Sequence, residues 1–487
     1  MITAFRKYSV LLTDLYQLTM AYGYWKNQTH EREAVFHLFF RKNPFLSGFS
    51  VACGLADAID YLRDFHFDES ELAYLKTLVG NDGQPLFEIE FIEYLRTLRF
   101  TCDIDAIPEG TLVFPHEPLV RVRGPILQGQ LLESTLLNIL NFQTLIATKA
   151  ARVCRAAEDD PVLEFGLRRA QGIDGALAAS RAAHIGGCTA TSNVLAGMRY
   201  GIPVRGTHAH SWVMSFDTEE EAFDAYAMAM PNNCIFLVDT YDTLEGVRTA
   251  VRVGKRLRQA GHELAGIRLD SGDLAYLSIE ARKILDDGGF PMALIVASND
   301  LDENIITSLK QQGACVGVWG VGTKLVTAYD QPAMGGVYKL GAIRRPGGDW
   351  HYSLKLSEQA IKISNPGIQQ VRRFQAGGEY LADMIYNEGE AITTERVIVD
   401  PNNGTRSKKI PAEALAEDLL VPIFRQGELV YDQPEITQIR EKTKEQLGRF
   451  HSGVKRFLNP HEYPVGLETA LHELKNKLIL KARGLDA

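Results

Sequence analysis

Between about residue 160 and residue 325 the chain alternates between short, nearly continuous apolar runs and longer stretches with helical apolar spacing. The apolar runs sit in "PVLEFGLRR", "IPVRGTHAHS", "NCIFLVDTYDT", "GIRLDSGD", "MALIVASNDLDE" and "ACVGVWGVGT". Each has the length and composition of a buried strand. Between most of them lie amphipathic patterns such as "TLEGVRTAVRVGKRLRQAG" and "LAYLSIEARKIL". The spacing from run to run is roughly 20–35 residues, what βα units with right-handed crossovers require. The runs also end alike, in Arg, His, Asp, Ser or Gly. In a parallel (β/α) barrel the C-terminal strand ends and their loops build the active site. An open doubly wound sheet places ligands at the same end. So many chemically equipped strand ends predict closure into a barrel, against the simpler reading that polar residues merely mark where strands stop.

The flanking regions have a different texture. "DLYQLTMAYGYW" and "ACGLADAIDYLRDF" predict helices, "AVFHLFFRKNP" a strand, and "TCDIDAIPEGTLVFPHEPLVRVRGP" a β-rich segment with turn glycines and prolines. A long apolar helix covers 131–157. After residue 345, "RRPGGDWHYSLKLSE", "GIQQVRRFQAGGEYLADMIYN" and "ITTERVIVDP" predict hairpin strands, and "KTKEQLGRFHSGVKRFL" a helix. The expected division is 1–140, 141–345 and 346–487, the barrel in the middle and the two ends forming one joint domain.

Composition narrows the class. The 487 residues allow two or three domains, and 45% hydrophobic with 23% charged residues is ordinary for a soluble globular protein. A net charge of −9 makes a general nucleic-acid or anionic-membrane binder unexpected, so an anionic ligand needs a local basic site. The six cysteines (Cys53, Cys102, Cys154, Cys188, Cys234, Cys315) occur singly, so neither a disulfide framework nor a cysteine zinc site is expected. The start "MITAFRKYSV" has no signal-peptide pattern and no apolar run is long enough for a membrane span; the expectation is a cytoplasmic enzyme.

Candidate chemistry gathers at the strand ends. "GIRLDSGD" sets Arg268 before Asp270 and Asp273: an arginine that can hold an anion, and carboxylates that can bind sugar hydroxyls or a hydrated Mg²⁺. "VWGVGTKLV" has Gly320 and Gly322 between a strand and a helix, where backbone N–H groups can approach an anion and Thr323 can add its hydroxyl. A tight turn explains the same glycines, and neither G-x-G-x-x-G nor the Walker pattern is present. "ASNDLDE", one strand earlier, adds Ser298, Asn299 and Asp300, and together these suggest a monophosphate pocket. "EFGLRRAQG" places Arg168 and Arg169 beyond a strand with Phe165. The arginines suit a carboxylate or phosphate, or a solvated face; the ring suits a flat ligand, or the core. "GTHAHSW" offers His208 and His210, either an acid, base or nucleophile or a core histidine, and no third metal ligand lies near. Together these parts suggest a phosphorylated sugar meeting a flat acidic ring.

"TDLYQLTM" (13–20), "FRKNPF" (40–45), "EFGLRRAQG", "GTHAHSW", "RLDSGD", "WGVGTKL" and "NPHEYPVGL" (459–467), in this order, resemble the nicotinate phosphoribosyltransferase family over nearly the whole chain. The resemblance implies an irregular TIM-like (β/α) barrel flanked by an α/β sandwich domain formed by the N- and C-terminal parts. It implies an ATP-coupled ligase and pentosyltransferase that makes nicotinate mononucleotide and pyrophosphate from nicotinate and 5-phosphoribosyl 1-pyrophosphate (PRPP), with Mg²⁺, in NAD salvage. It also implies a homodimer with shared active sites. By the same motifs, Tyr16 covers the nicotinate ring from the partner subunit, opposite Phe165. Arg268 and Thr207 contact nicotinate, and Arg168 lies near its carboxylate or PRPP. His210 is the residue phosphorylated from ATP, Asp270 approaches the ribose, and Ser298, Gly320, Gly322 and Thr323 cradle the 5-phosphate. Lys149 and Arg152 of "TKAAR" are further candidates. Some members carry cysteine clusters that this chain lacks, so no structural zinc and no protein cage for a metal is expected. Other readings are a phosphoribosyltransferase for nicotinamide or quinolinate, a Schiff-base aldolase using Lys324, and a non-catalytic sugar-phosphate binder.

Overall fold

The computed structural model describes residues 8–390 and 396–485. The first seven residues of the expected leaderless N-terminus, and "ITTE" of the expected strand "ITTERVIVDP", lie outside the described residues. The chain forms two units, one of 1–145, 333–435 and 442–487, the other of 146–332 and 436–441.

The first unit holds a seven-stranded antiparallel sheet with Glu33–Phe39, Val120–Pro125 and Asp103–Ala106 near its centre. It also holds a six-stranded mixed sheet around the hairpin Gln369–Ala376 and Glu379–Asn387. That hairpin turns at Gly377 and Gly378, both at positive φ (60° and 85°), as a tight two-residue turn requires. The strand Val337–Arg344 pairs with Glu33–Phe39, so it belongs here rather than to 141–345, where the sequence puts it. Arg121 ties the two sheets together, donating to Asp105 at 2.9 Å and to the Gln369 carbonyl at 3.0 Å.

Arg373 is wholly buried in this unit. It donates to Asp383 at 2.6 Å and to the Leu112 carbonyl at 2.8 Å, and lies 5.0 Å from the Tyr380 ring centre. Burial and the neighbouring Asp383 charge push the buried Glu117 carboxyl well above its usual range.

The second unit carries six parallel strands: β1 (Val162–Glu164), β2 (Ala190–Thr191), β3 (Ile235–Leu237), β4 (Gly266–Leu269), β5 (Leu294–Ala297) and β6 (Val318–Val321). Their order across the sheet is β2-β1-β6-β5-β4-β3. The order is cyclic, with one seam between β2 and β3. Among the described residues the ladder does not close there. Val204 bridges to Thr191, and the Leu237 N–H donates to His208 Nε2 at 3.2 Å. "IPVRGTHAHS" is therefore one bridge rather than a strand, and the short β2 takes its place in the sheet. Pro203 has no N–H to give a ladder, and Gly201 and Gly206 punctuate the segment.

Helices pack on the sheet as their apolar spacing requires. Thr243–Gln259 buries Val247, Ala250, Val251, Val253 and Leu257, and is capped by Asp242, which accepts the Glu245 N–H at 2.8 Å. Leu274–Asp287 is capped by Asp273, which accepts the N–H groups of Ala275 and Tyr276 at 3.1 Å.

Arg373→Met leaves Asp383 as a buried, uncompensated charge, and is expected to cost about 3–5 kcal/mol in urea unfolding. The double variant Arg373→Met/Asp383→Asn should cost less than the single one.

Candidate functional site

Strand alternation decides which side of β4 carries chemistry. Ile267 and Leu269 are wholly buried, whereas Arg268 and Asp270 face the other way. The guanidinium of Arg268 is gripped from three sides. Its Nε donates to Ser298 Oγ at 2.8 Å, one Nη to Thr207 Oγ1 at 3.1 Å, and the other to Asp270 Oδ1 at 2.7 Å. The Ser298 hydroxyl also donates to Asp270 Oδ1. The Arg268 Cζ lies 5.8 Å from the centre of the Phe165 ring. A guanidinium has five N–H donors. These bonds use three of them, so two remain among the described residues.

Burial opposes ionisation of Asp270, but the Ser298 hydroxyl and the Arg268 charge outweigh it and hold its carboxyl below the usual range. Asp239, at the end of β3, fixes the turn that follows. Its Oδ2 accepts the Asp270 N–H at 2.9 Å and the Ser271 hydroxyl at 2.6 Å, while its buried Oδ1 has no hydrogen-bond partner among the described residues. The sequence reading passed over Asp239, although "FLVD" repeats the strand-end carboxylate of "IRLD". Asp273 of the same motif caps the helix that follows.

The two histidines separate. His208 is buried, and burial lowers its pKa; its Nε2 accepts a backbone N–H, which makes it a neutral core histidine. His210 leaves 40% of its side chain exposed, with Nε2 3.8 Å from Asp270 Oδ2 and Nδ1 3.1 Å from Thr240 Oγ1. Thr240 is a second residue the sequence reading missed.

Other candidates are placed as follows. Phe165 follows β1 and its N–H donates to the Val321 carbonyl at 2.8 Å. Arg168 and Arg169 form an exposed turn and make no ion pair among the described residues. Gly322 precedes the one-turn helix Thr323–Val326, and Gly320 lies within β6. Asn299 and Asp300, next to Ser298, both have positive φ (99° and 26°), a strained backbone of the kind held at functional sites. Tyr16 belongs to the first unit, 48% exposed on the helix Leu15–Lys26.

Lys149 and Arg152 are buried and neutralised. Lys149 reaches Glu303 at 2.7 Å and Asp330 at 2.5 Å, and Arg152 reaches Glu303 at 2.7 Å. Lys324 is paired with Asp302 at 2.7 Å. Burial works against its charge, but Asp302 outweighs it and raises its pKa, which argues against a Schiff-base nucleophile. Among the described residues no group of three or more His, Cys, Asp or Glu could hold a metal, and no helix is long and apolar enough to cross a membrane.

A carboxyl near Asp239 titrates unusually. Burial and the charge of Glu245 raise Glu219 to about 7, with Arg252 opposing.

A family model described as "Nicotinate phosphoribosyltransferase (NAPRTase) family" matches residues 161–346, and those of that family's N-terminal and C-terminal domains match 11–141 and 368–475. The chain is 46% identical to a nicotinate phosphoribosyltransferase of Bacillus subtilis (strain 168), over 96% of each chain. It is 35% identical to that of Homo sapiens, again over 96% of each. The crystal structure of human nicotinic acid phosphoribosyltransferase superimposes with a TM-score of 0.84 at 33% identity, covering 96% of this chain and 99% of that one. A nicotinate-nucleotide pyrophosphorylase from Pyrococcus furiosus shares the fold, with a TM-score of 0.68 at 22% identity over 92% of this chain and 99% of that one.

Because the Glu219 carboxyl is raised in the folded state, the fold gains protons there and loses stability as pH rises from about 4.5 to about 7. Glu219→Gln is therefore expected to gain about 1 kcal/mol over the parent at pH 8, discounted for solvent screening, and nothing comparable at pH 4. Melting curves at the two pH values check it.

Proposed function

The chain belongs to the nicotinate phosphoribosyltransferase family, and on that premise we propose that it is an enzyme of NAD salvage, joining nicotinate to C1 of PRPP and releasing nicotinate mononucleotide and pyrophosphate. The observation that carries this reading is Arg268, held by Thr207, Asp270 and Ser298 with two donors free beside the flat face of Phe165. The unused donors, one on each Nη, suit a carboxylate, which accepts through both oxygens. A carboxamide would turn an NH₂ towards a guanidinium that has no acceptor.

Displacement at the sugar C1 builds positive charge on the ring, and an orienting clamp on nicotinate brings its nitrogen to that carbon. Such positioning is worth up to about 7–11 kcal/mol. Asp270, held ionised, faces the ribose hydroxyls; Gly322 and Thr323, with Ser298 nearby, receive the 5-phosphate, and Arg168 lies towards the substrate carboxylate or PRPP. Mg²⁺ fits as an ion carried by the pyrophosphate, because Asp270 and the unpartnered Asp239 Oδ1 offer two carboxylates rather than a cage. When bound, it neutralises charge on the leaving group.

ATP hydrolysis coupled to the reaction runs through phosphorylation of His210, a reading supported by the exposure of its ring. Tyr16 acts on the ring from the partner in a cytoplasmic homodimer; the exposed Leu12, Leu15, Tyr16 and Met20 support an apolar contact there. The cyclic strand order supports an irregular barrel with its seam at Val204.

The test is product formation from PRPP and Mg²⁺ with nicotinate, nicotinamide or quinolinate, each with and without ATP. Nicotinate alone should react, faster with ATP; product from another ring would move the specificity, and none from any would overturn the reading. Arg268→Lys, which loses the bidentate fork, should lower kcat/KM for nicotinate by about 100-fold. His210→Ala should abolish the ATP stimulation, and full stimulation in that variant would exclude its phosphorylation as the coupling step.

A further inference from the structure

Gly320 lies within β6, two residues before the turn at Gly322, and the space its side chain would take is filled from another direction. A Cβ on Gly320 would lie 2.7 Å from Cδ2 and 2.8 Å from Cε2 of Phe165, and 3.4 Å from Cβ of Ser298. An aromatic ring is rigid, so it could not yield by bending; it would have to leave its place. Gly166 is constrained in the same way from behind, where a Cβ would meet Val326 Cγ1 at 2.2 Å.

The backbone of Phe165 is held as firmly as its ring. Its N–H is bonded to the Val321 carbonyl at 2.8 Å. The preceding residue, Glu164, is 1% exposed and makes no ion pair among the described residues. Its carboxylate instead accepts the Gly166 N–H, the Ser180 hydroxyl at 2.8 Å and the Thr191 hydroxyl at 2.6 Å. A buried carboxylate is costly unless hydrogen-bonded, and here the bonds bind together the turn after β1, the adjacent β2 and the helix Gly172–Ile185. Glu164 thus staples the residue on either side of Phe165 to the sheet.

We infer that Gly320 and Glu164 are positioning residues for the aromatic wall of the site: Gly320 leaves the ring its space, Glu164 fixes its backbone, and the pair sets affinity for the planar ring substrate rather than for the sugar phosphate. This rests on the proposed reaction, in which Phe165 faces nicotinate. The assignment separates two glycines that look equivalent in sequence. At Gly322 a Cβ would meet backbone rather than the ring, the Phe165 carbonyl oxygen at 3.2 Å and its carbon at 3.5 Å.

The experiment is steady-state kinetics of the full-length enzyme with each substrate varied in turn, for Gly320→Ala, Phe165→Ala, the double variant and Glu164→Gln. Gly320→Ala is expected to raise KM for nicotinate about tenfold and leave KM for PRPP within about twofold. The double variant should be no worse than Phe165→Ala, because both changes remove one feature. A rise in KM for PRPP instead, or multiplying effects in the double variant, overturns the inference. Should Gly320→Ala not fold, Glu164→Gln carries the same expectation, and an unchanged KM for nicotinate there overturns it equally. A parent enzyme that makes no product from nicotinate sinks the proposed reaction, and so is told apart from these outcomes.

Discussion

The contact between Arg268, on β4, and Ser298, just past the end of the neighbouring β5, organises everything around the site. This sheltered guanidinium has three of its donors met by residues that follow three different strand regions: Thr207, Asp270 and Ser298. Strand register therefore becomes site geometry. A slip of one residue along β4 would turn Arg268 and Asp270 into the core and Ile267 and Leu269 out of it, which burial forbids.

Around this centre the carboxylates divide their labour by environment. Asp270 is kept ionised by Arg268 and Ser298. Asp239 holds the backbone of Asp270 and keeps one oxygen unused. Asp273 caps a helix, Glu164 staples a turn, and Glu303 neutralises Lys149 and Arg152. Residues of one chemical type thus hold a guanidinium, a turn, a helix end and buried cations within one unit, and only their partners distinguish them. Histidine repeats the lesson: His208 is spent on a backbone N–H, and His210 lies half-buried between Asp270 and Thr240.

The first unit is built on a different principle. Its buried charges, Arg121 with Asp105 and Arg373 with Asp383, knit antiparallel strands and their neighbours together and are closed off from solvent. Such pairs stabilise little over an apolar replacement, but once present they are costly to break singly.

Apolar periodicity by itself determined five of the six parallel strands and the helices Thr243–Gln259 and Leu274–Asp287 between them, because a buried strand and an amphipathic helix leave distinct spacing. It also placed Arg268, Asp270 and Phe165 at strand ends, since a polar residue after an apolar run has few other places to be. What it could not supply was anything set by distant partners. β2 is two residues long, too short for a pattern, and exists only because β1 offers it a ladder. The boundary of the second unit depends on Val337–Arg344 pairing with a strand some three hundred positions earlier. Thr240 and Glu164 carry no local signature, and Asp239 shows only the strand-end position it shares with Asp270; their roles arise from hydrogen bonds to residues far along the chain. Even Gly320, legible as a glycine that something must approach, needed the folded chain to show that an aromatic ring fills the space. Local spacing is a property of neighbours in sequence, and tertiary contacts alone decide what each exposed face meets.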